Sequence, residues 1–206
     1  MASASRWLRS RVLPIAFAAW SFPLALVSSP CVHAQDAVVN FDAAQTRVNF
    51  TLAATAHTVH GEFKLKSGYI SFNTATGKAS GSIVADAASG SSGSEGRDNK
   101  MHREVLESAR FPEIVFTPTH VQGAVAPQGS SQIQVMGVMR LHGQDHPIAL
   151  AFAVETAAGN QLKASTRFSV PYEKWGLKNP SNFLLRVSDT VDIDIQAVGQ
   201  LKNSAP

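Results

Sequence analysis

Apolar and polar residues alternate with period two along most of this chain, which is the repeat of a β-strand whose two faces meet different surroundings. In residues 47–52, Val48, Phe50 and Leu52 share one face. In 62–66 the apolar face is Phe63 and Leu65, and in 82–86 it is Ile83 and Ala85. Residues 133–141 place Ile133, Val135, Gly137, Met139 and Leu141 on one side. Residues 146–154 give Ile148, Leu150, Phe152 and Val154, and 162–170 give Leu162, Ala164, Thr166, Phe168 and Val170. The cleanest run is 191–195, with Asp192 and Asp194 outward and Val191, Ile193 and Ile195 inward. Such alternation belongs to antiparallel sheet with one dry face and one wet face.

Phe63 and Leu65 are odd-numbered, whereas Ile70 and Phe72 are even. A slip of one residue sends side chains to the other face, so a bulge or corner is expected at Ser67-Gly68. Residues 73–77 read as a hairpin turn, and 122–131 and Gln144-Asp145 as further turns. Residues 99–108 predict one short helix, with Asp98 as its N-cap and Met101, Val105 and Leu106 at helical spacing. Pro112 disfavours helix at Phe111 and ends it. Residues 89–96, rich in Gly and Ser, read as a flexible loop. Roughly nine strand candidates spaced at about 8–12 residues suggest a sandwich or a barrel. Each strand shows a single apolar face, and closure removes exposed edges, so a barrel fits best. The expectation is one all-β domain, an antiparallel β-barrel of about eight strands with one short α-helix.

Ahead of the strands lies a segment of another kind. Arg6, Arg9 and Arg11 precede an uncharged apolar run over 13–27, interrupted by Pro14 and Pro23. Val32-His33-Ala34 then offers small or modest side chains where a signal peptidase reads. This is the pattern of a secretory signal, and the run is too short and too broken for a transmembrane helix of about 20 residues. Residues 1–34 are therefore expected to be cleaved, leaving 35–206 in the periplasm or outside the cell with no stable membrane anchor. Cleavage removes three Arg and no acid, so 15 basic and 15 acidic residues remain and the formal charge falls from +3 to 0. No basic stripe survives to bind nucleic acid. Cleavage also removes the single cysteine, Cys31, which follows Pro30, a poor neighbour for a lipidated cysteine. A thiol-free mature chain has neither a disulfide framework nor a multi-cysteine metal site, and its stability comes from packing.

Several short motifs occur in a telling order. Gly96-Arg97-Asp98, Met101 and Leu106 lead to Phe111-Pro112-Glu113-Ile114-Val115-Phe116. Val48-Asn49-Phe50 is followed by His57, and Gly61-Glu62-Phe63 by Gly68-Tyr69-Ile70. Val135-Met136-Gly137 leads to Leu141-His142-Gly143, and Trp175-Gly176 precedes the last Val-rich strand. In this order and spacing the chain resembles the YceI-like family over about residues 37–200. The family's pattern is an Arg-Asp pair opening a short helix, then an aromatic-Pro-x-Ile-x-Phe strand. The resemblance implies a lipocalin-like barrel around a long apolar pocket, in exported carriers of polyisoprenoids or other long-chain amphiphiles. Two departures stand out. The Gly/Ser-rich stretch before Arg97 is longer than the family's, and Asp145-His146-Pro147 replaces its usual Thr-Lys-Pro.

The candidate pocket lining is the inward apolar set Phe50, Leu52, Phe63, Phe72, Ile83, Ile114, Phe116, Val135, Met139, Leu150, Phe152, Phe168 and Ile193. The residues alone leave two interiors open, a lined cavity and a packed dry core, since both need apolar side chains inward. The family resemblance implies the cavity, and Gly137 and Ala164 would leave room for a chain. The inward faces of 48–52, 133–141 and 191–195 carry no charge, because Arg140, Asp192 and Asp194 fall on the outer parity. The ligand's body is therefore expected to be neutral and apolar, with any polar head at the barrel mouth. Among the six remaining histidines, His57 with His60 and His142 with His146 are the close pairs, and neither spacing brings two imidazoles together along a strand. They are read as polar rim residues rather than metal ligands. Asp98 is expected to cap the helix and Arg97 to pair with a carboxylate. Phosphate-loop, dinucleotide, zinc-protease and serine-hydrolase motifs are missing from the sequence. The reading is thus an exported, non-catalytic binder of a long-chain isoprenoid or amphiphilic lipid, with no cofactor. A second reading is an interaction or stress-response protein with a packed, ligand-free barrel, and a homodimer is compatible with either.

Overall fold

The structure is a computed structural model that describes residues 36–55, 57–181 and 186–203. The expected signal segment lies outside the described residues. β1 (Asp36–Phe41), β2 (Arg47–Ala53), β3 (Thr58–Asn73), β4 (Ala79–Ser91), β5 (Glu113–Gln122), β6 (Gly129–Leu141), β7 (Gln144–Thr156), β8 (Gln161–Val170) and β9 (Val191–Asn203) form one antiparallel sheet. From β2 to β9 each strand pairs with its neighbour in sequence. β2 also pairs with β9, and this closes a barrel of eight strand positions. β1 and β2 share one of those positions, end to end. On β3, Ala37 faces Phe72 and Val48 faces Phe63, while on β9 Ala37 faces Asn203 and Val48 faces Ile195. The break between them is a turn in which the Asp42 carboxylate accepts the Ala44 and Gln45 amides at 2.9 and 3.2 Å. β1 falls outside the alternating runs described above, because it has only three inward apolar positions, Ala37, Val39 and Phe41.

The parity change resolves as a bulge. Leu65 faces Ala85 but Ser67 faces Val84, which makes Lys66 the extra residue of an otherwise continuous β3. The hairpin after β3 turns where expected. Asn73 Oδ1 accepts the Ala75 and Thr76 amides at 3.2 and 3.0 Å, and Gly77 takes φ 72°.

Three local expectations are corrected. The helix begins at Glu95, with Ser94 rather than Asp98 as N-cap. Asp98 lies inside the helix, and its carboxylate reaches back to the strand end. There it accepts the Ser92 amide at 2.9 Å and the hydroxyls of Ser91 and Ser92. α1 (Glu95–Lys100) then widens into a π-helical turn, Met101–Val105, with the Leu106 amide donating to the Met101 carbonyl at 2.9 Å. Residues 89–91 belong to β4 rather than to a flexible loop, since local bonds hold the Gly/Ser stretch: the Lys64 amide donates to Ser89 Oγ at 2.8 Å. The β6–β7 hairpin turns at His142-Gly143, not Gln144-Asp145, with φ 53° and 74°. Two consecutive positive φ values match the right-handed twist of the flanking strands. Asp145 instead pairs with Arg140 at 2.8 Å on the outer face.

The two ends of the barrel differ. One end carries the β3–β4, β5–β6 and β7–β8 turns, and there Ala37, Phe72, Val121, Val135, Val154, Leu162 and Leu201 pack as a dry core. The other end carries the β2–β3 turn, α1 with its π-helical turn, the β6–β7 hairpin and the β8–β9 connection. Packing against this second end comes from Leu106, Leu141, Val170, Tyr172 and Leu177.

Candidate functional site

A cavity of about 550 Å³ occupies the barrel between the packed core and this second end. The lining is overwhelmingly aliphatic and aromatic, because the inward parity of every strand from β2 to β9 contributes to it. Eleven of the thirteen expected lining residues are there: Phe50, Leu52, Phe63, Ile83, Ile114, Phe116, Met139, Leu150, Phe152, Phe168 and Ile193. Phe72 and Val135 are not. Both point inward but sit nearer the other end, at 8% and 2% exposure, where Val135 is packed and Phe72 borders a separate crevice of about 310 Å³ under the β3–β4 and β5–β6 turns. Parity fixes the face a residue takes, and position along the strand decides whether that face meets a cavity. Gly137 and Ala164 also serve packing rather than space. A Cβ at Gly137 would lie 2.7 Å from the Phe116 ring, so that ring occupies the room, and Ala164 lies buried in the dry core.

Gly61 performs a related task at the cavity wall. A Cβ there would fall 2.3 Å from the Phe50 ring, so Gly61 lets Phe50 lie across β3 toward Phe63, at 5.3 Å between centroids. Further lining comes from outside the strands. The π-helical turn and its flank supply Met101, Val105 and Leu106, and the β8–β9 connection supplies Tyr172, Leu177, Pro180 and Val187. The helical residues carry a sequence signal, their spacing, but nothing in that spacing tells which side of a barrel a helix covers. The connection has no periodicity to read.

Polar groups in the lining are few: Thr46, His57, Ser92, Arg97, Lys100 and Tyr172. Burial pushes the Tyr172 phenol up to about 12, helped by the carboxylates of Glu173 and Asp189. It is therefore a neutral donor, and its hydroxyl donates a hydrogen bond to the Ser188 carbonyl. Arg97 does not pair with a carboxylate as expected. Its Nε donates to Ser92 Oγ at 2.7 Å and its Nη2 to the Ser92 carbonyl at 2.8 Å. Asp98 serves the same serine from the other side. Burial works against its charge, but the bonds from Ser92 and Ser91 and the nearby Arg97 outweigh it and hold the carboxyl below its ordinary range. Lys100 Nζ donates to the Pro180 carbonyl at 3.0 Å, tying α1 to the β8–β9 connection.

The paired histidines go to separate partners. His142 packs on the Phe111 ring at 4.4 Å, with Nε2 3.2 Å from Glu107 Oε1. His146, close to the β6–β7 hairpin, faces inward beside Met139 and stacks on Trp175. Burial lowers its basicity, partly offset by Asp145.

Comparison with known proteins agrees with this architecture. The YceI-like domain model matches residues 40–199. A UPF0312 protein from each of two strains of Vibrio vulnificus is 28% identical over 124 residues, which is 58% of this chain. The match spans 62% of those relatives' length. Among solved structures, a polyisoprenoid-binding domain from Saccharophagus degradans, implicated in plant cell wall breakdown, superposes with a TM-score of 0.64 at 17% identity. It covers 80% of this chain and 98% of that one. BcnA of Burkholderia cenocepacia gives 0.62 at 14% identity, covering 77% and 98%. The YceI protein of Campylobacter jejuni gives 0.57 at 16%, covering 74% and 88%. At these identities the structural likeness is one of fold. The family assignment rests on the domain match over residues 40–199, and by that match this chain belongs to the YceI-like domain family.

Proposed function

We propose that this protein is an exported binding protein that encloses a long-chain polyisoprenoid or similar amphiphilic lipid in its barrel, without catalysing a reaction. The observation that carries this reading is the cavity of about 550 Å³, lined by apolar side chains from all nine strands and a helix. That volume falls within the range of about 300–1,000 Å³ typical of small-molecule sites. The structural likeness to a polyisoprenoid-binding domain supports the choice of ligand class. The polar lining groups with hydroxyls support binding over chemistry, since Thr46, Ser92 and Tyr172 are held in structural bonds.

The energetics favour long chains. A chain burying about ten methylene-sized groups gains about 8 kcal/mol. Association costs about 4–15 kcal/mol, so short chains are not held and long ones are. The test is to express the full chain in an exporting host, purify it from the periplasm and extract it with organic solvent. Mass spectrometry is expected to find one isoprenoid or acyl lipid in near-stoichiometric amount. An empty extract, together with no uptake of added long-chain lipid, would favour a ligand-free scaffold. Export is tested on the same sample: intact mass is expected to place the N-terminus at Gln35, and a retained, acylated Cys31 would instead make the protein membrane-anchored.

A further inference from the structure

The charge in the cavity lining has one sign. Among the described lining residues the charged ones are Arg97 and Lys100, and none is a carboxylate. The two lie three residues apart on α1, a spacing that puts side chains on the same helix face. Neither takes part in an ion pair among the described residues. Arg97 bonds to the hydroxyl and carbonyl of Ser92, and Lys100 to the carbonyl of Pro180. The nearest acids are engaged elsewhere. Asp98 feels the charge of Arg97 and Glu104 that of Lys100, but the Asp98 oxygens accept from Ser91 and Ser92, and Glu104 is bonded to Lys178 at 2.9 Å. A guanidinium has five N–H donors and an ammonium three, so both groups keep donors to spare. Their positions are at the end of the cavity where α1 and the β8–β9 connection meet, away from the packed core.

A chain whose tail fills the apolar part of the cavity brings its head to these two cations. We infer that the site selects amphiphiles with an anionic head, a phosphate or a carboxylate, over the same chain with a neutral head. This inference rests on the lipid-binding reading above and narrows its ligand class. Charge-assisted bonds from Arg and Lys to an oxyanion are roughly twice as strong as neutral ones; Lys100 is half-buried and Arg97 exposed, so salt is expected to weaken the pair's contribution.

The test uses the full mature protein and two probes with one tail, geranylgeranyl monophosphate and geranylgeraniol, measured by displacement of a fluorescent lipid. The phosphate is expected to bind at least about tenfold more tightly, the scale of one charge-assisted bond. Raising the salt from about 0.05 to about 0.5 M is expected to shrink that ratio while leaving the alcohol's affinity unchanged. Lys100→Gln should cut the ratio, Lys100→Arg should keep most of it, and Lys100→Gln with Arg97→Gln should abolish it. The circular dichroism spectrum and thermal midpoint report that each variant is folded, and the ratio of the two affinities is compared only among folded variants. Equal affinity for the two heads in the wild-type protein, or a ratio that survives the double substitution, would overturn the inference and leave lipid binding intact. Binding of neither probe would instead overturn lipid binding itself, and this inference with it.

Discussion

The indole of Trp175 lies flat on the imidazole of His146, with ring centroids 4.1 Å apart and planes 2° from parallel. Burial in this stack disfavours the charged imidazolium, and Asp145 offsets only part of that. The folded-state value is thus below the unfolded value of about 6.5. Its stabilising contribution is complete above that unfolded value and is lost as the pH falls through the folded one, because the unfolded chain takes up a proton that the fold resists. The thermal midpoint is expected to drop between about pH 7 and pH 5. His146→Phe, which keeps a stacking ring and removes the titration, should flatten that part of the profile. A wild-type profile already flat there would contradict the assignment.

Phe72 and Phe152 share inward orientation but differ in surroundings, one in the core beside the turn-end crevice and one at the main cavity. Phe72→Ala is expected to cost about 3–5 kcal/mol in urea unfolding, as for a packed core ring. Phe152→Ala should cost clearly less and reduce the lipid retained after purification. Equal stability losses with unchanged lipid would mean that both rings are simply core.

Gly143 combines a φ of 74° with a Cβ position 2.7 Å from the Phe111 ring. Gly143→Ala meets both the left-handed backbone penalty and that contact, for a loss of about 1–2 kcal/mol. Gly96, which has open space where its Cβ would go, is the control and should tolerate Ala with little change. Comparable losses at the two sites would remove the strain argument.

Asp98 gathers the Ser92 amide and two hydroxyls at the edge of the cavity. With its carboxyl held below the ordinary value of about 3.9, its contribution is present above that value and fades as the pH falls through the folded one. Asp98→Asn preserves the shape and removes the charge. Hydrogen exchange should then quicken over residues 91–100 while the barrel strands keep their protection. Unaltered exchange in that segment would show that the carboxylate does not organise it.

Much of the barrel is legible in the sequence because one physical rule, inside against outside, is written at every second residue. Ile193 and Ile195 between Asp192 and Asp194 need no further information. The bulge at Lys66 is equally visible, as a change of parity between Leu65 and Ile70. Alternation says nothing about depth along the barrel, so Phe72 and Val135 look the same as Phe50 until the packing is known. Hydrogen bonds between side chains and backbone escape it too. The choice of Ser94 over Asp98 as the cap depends on Asp98 finding Ser91 and Ser92, and two good acceptors four residues apart leave that undecided. Tyr172, Leu177 and Pro180 reach the cavity from a connection with no period at all.

The split first position of the barrel has a kinetic consequence. From β3 to β9 the strands form a meander in which every partner is a neighbour in sequence, so pairing can advance locally as the chain emerges. The last seam is different: Val39 faces Leu201, and Phe50 faces Ile193. Non-local pairings of this kind are the slow ones. The wall around the cavity therefore completes itself only when the final strand has been delivered to the first, and until then the interior is an open trough. A long chain can be laid into a trough sideways, whereas a finished barrel admits it only end first. For the proposed ligand, the order in which the protein meets it and its own last strand would set which of these two routes loading takes.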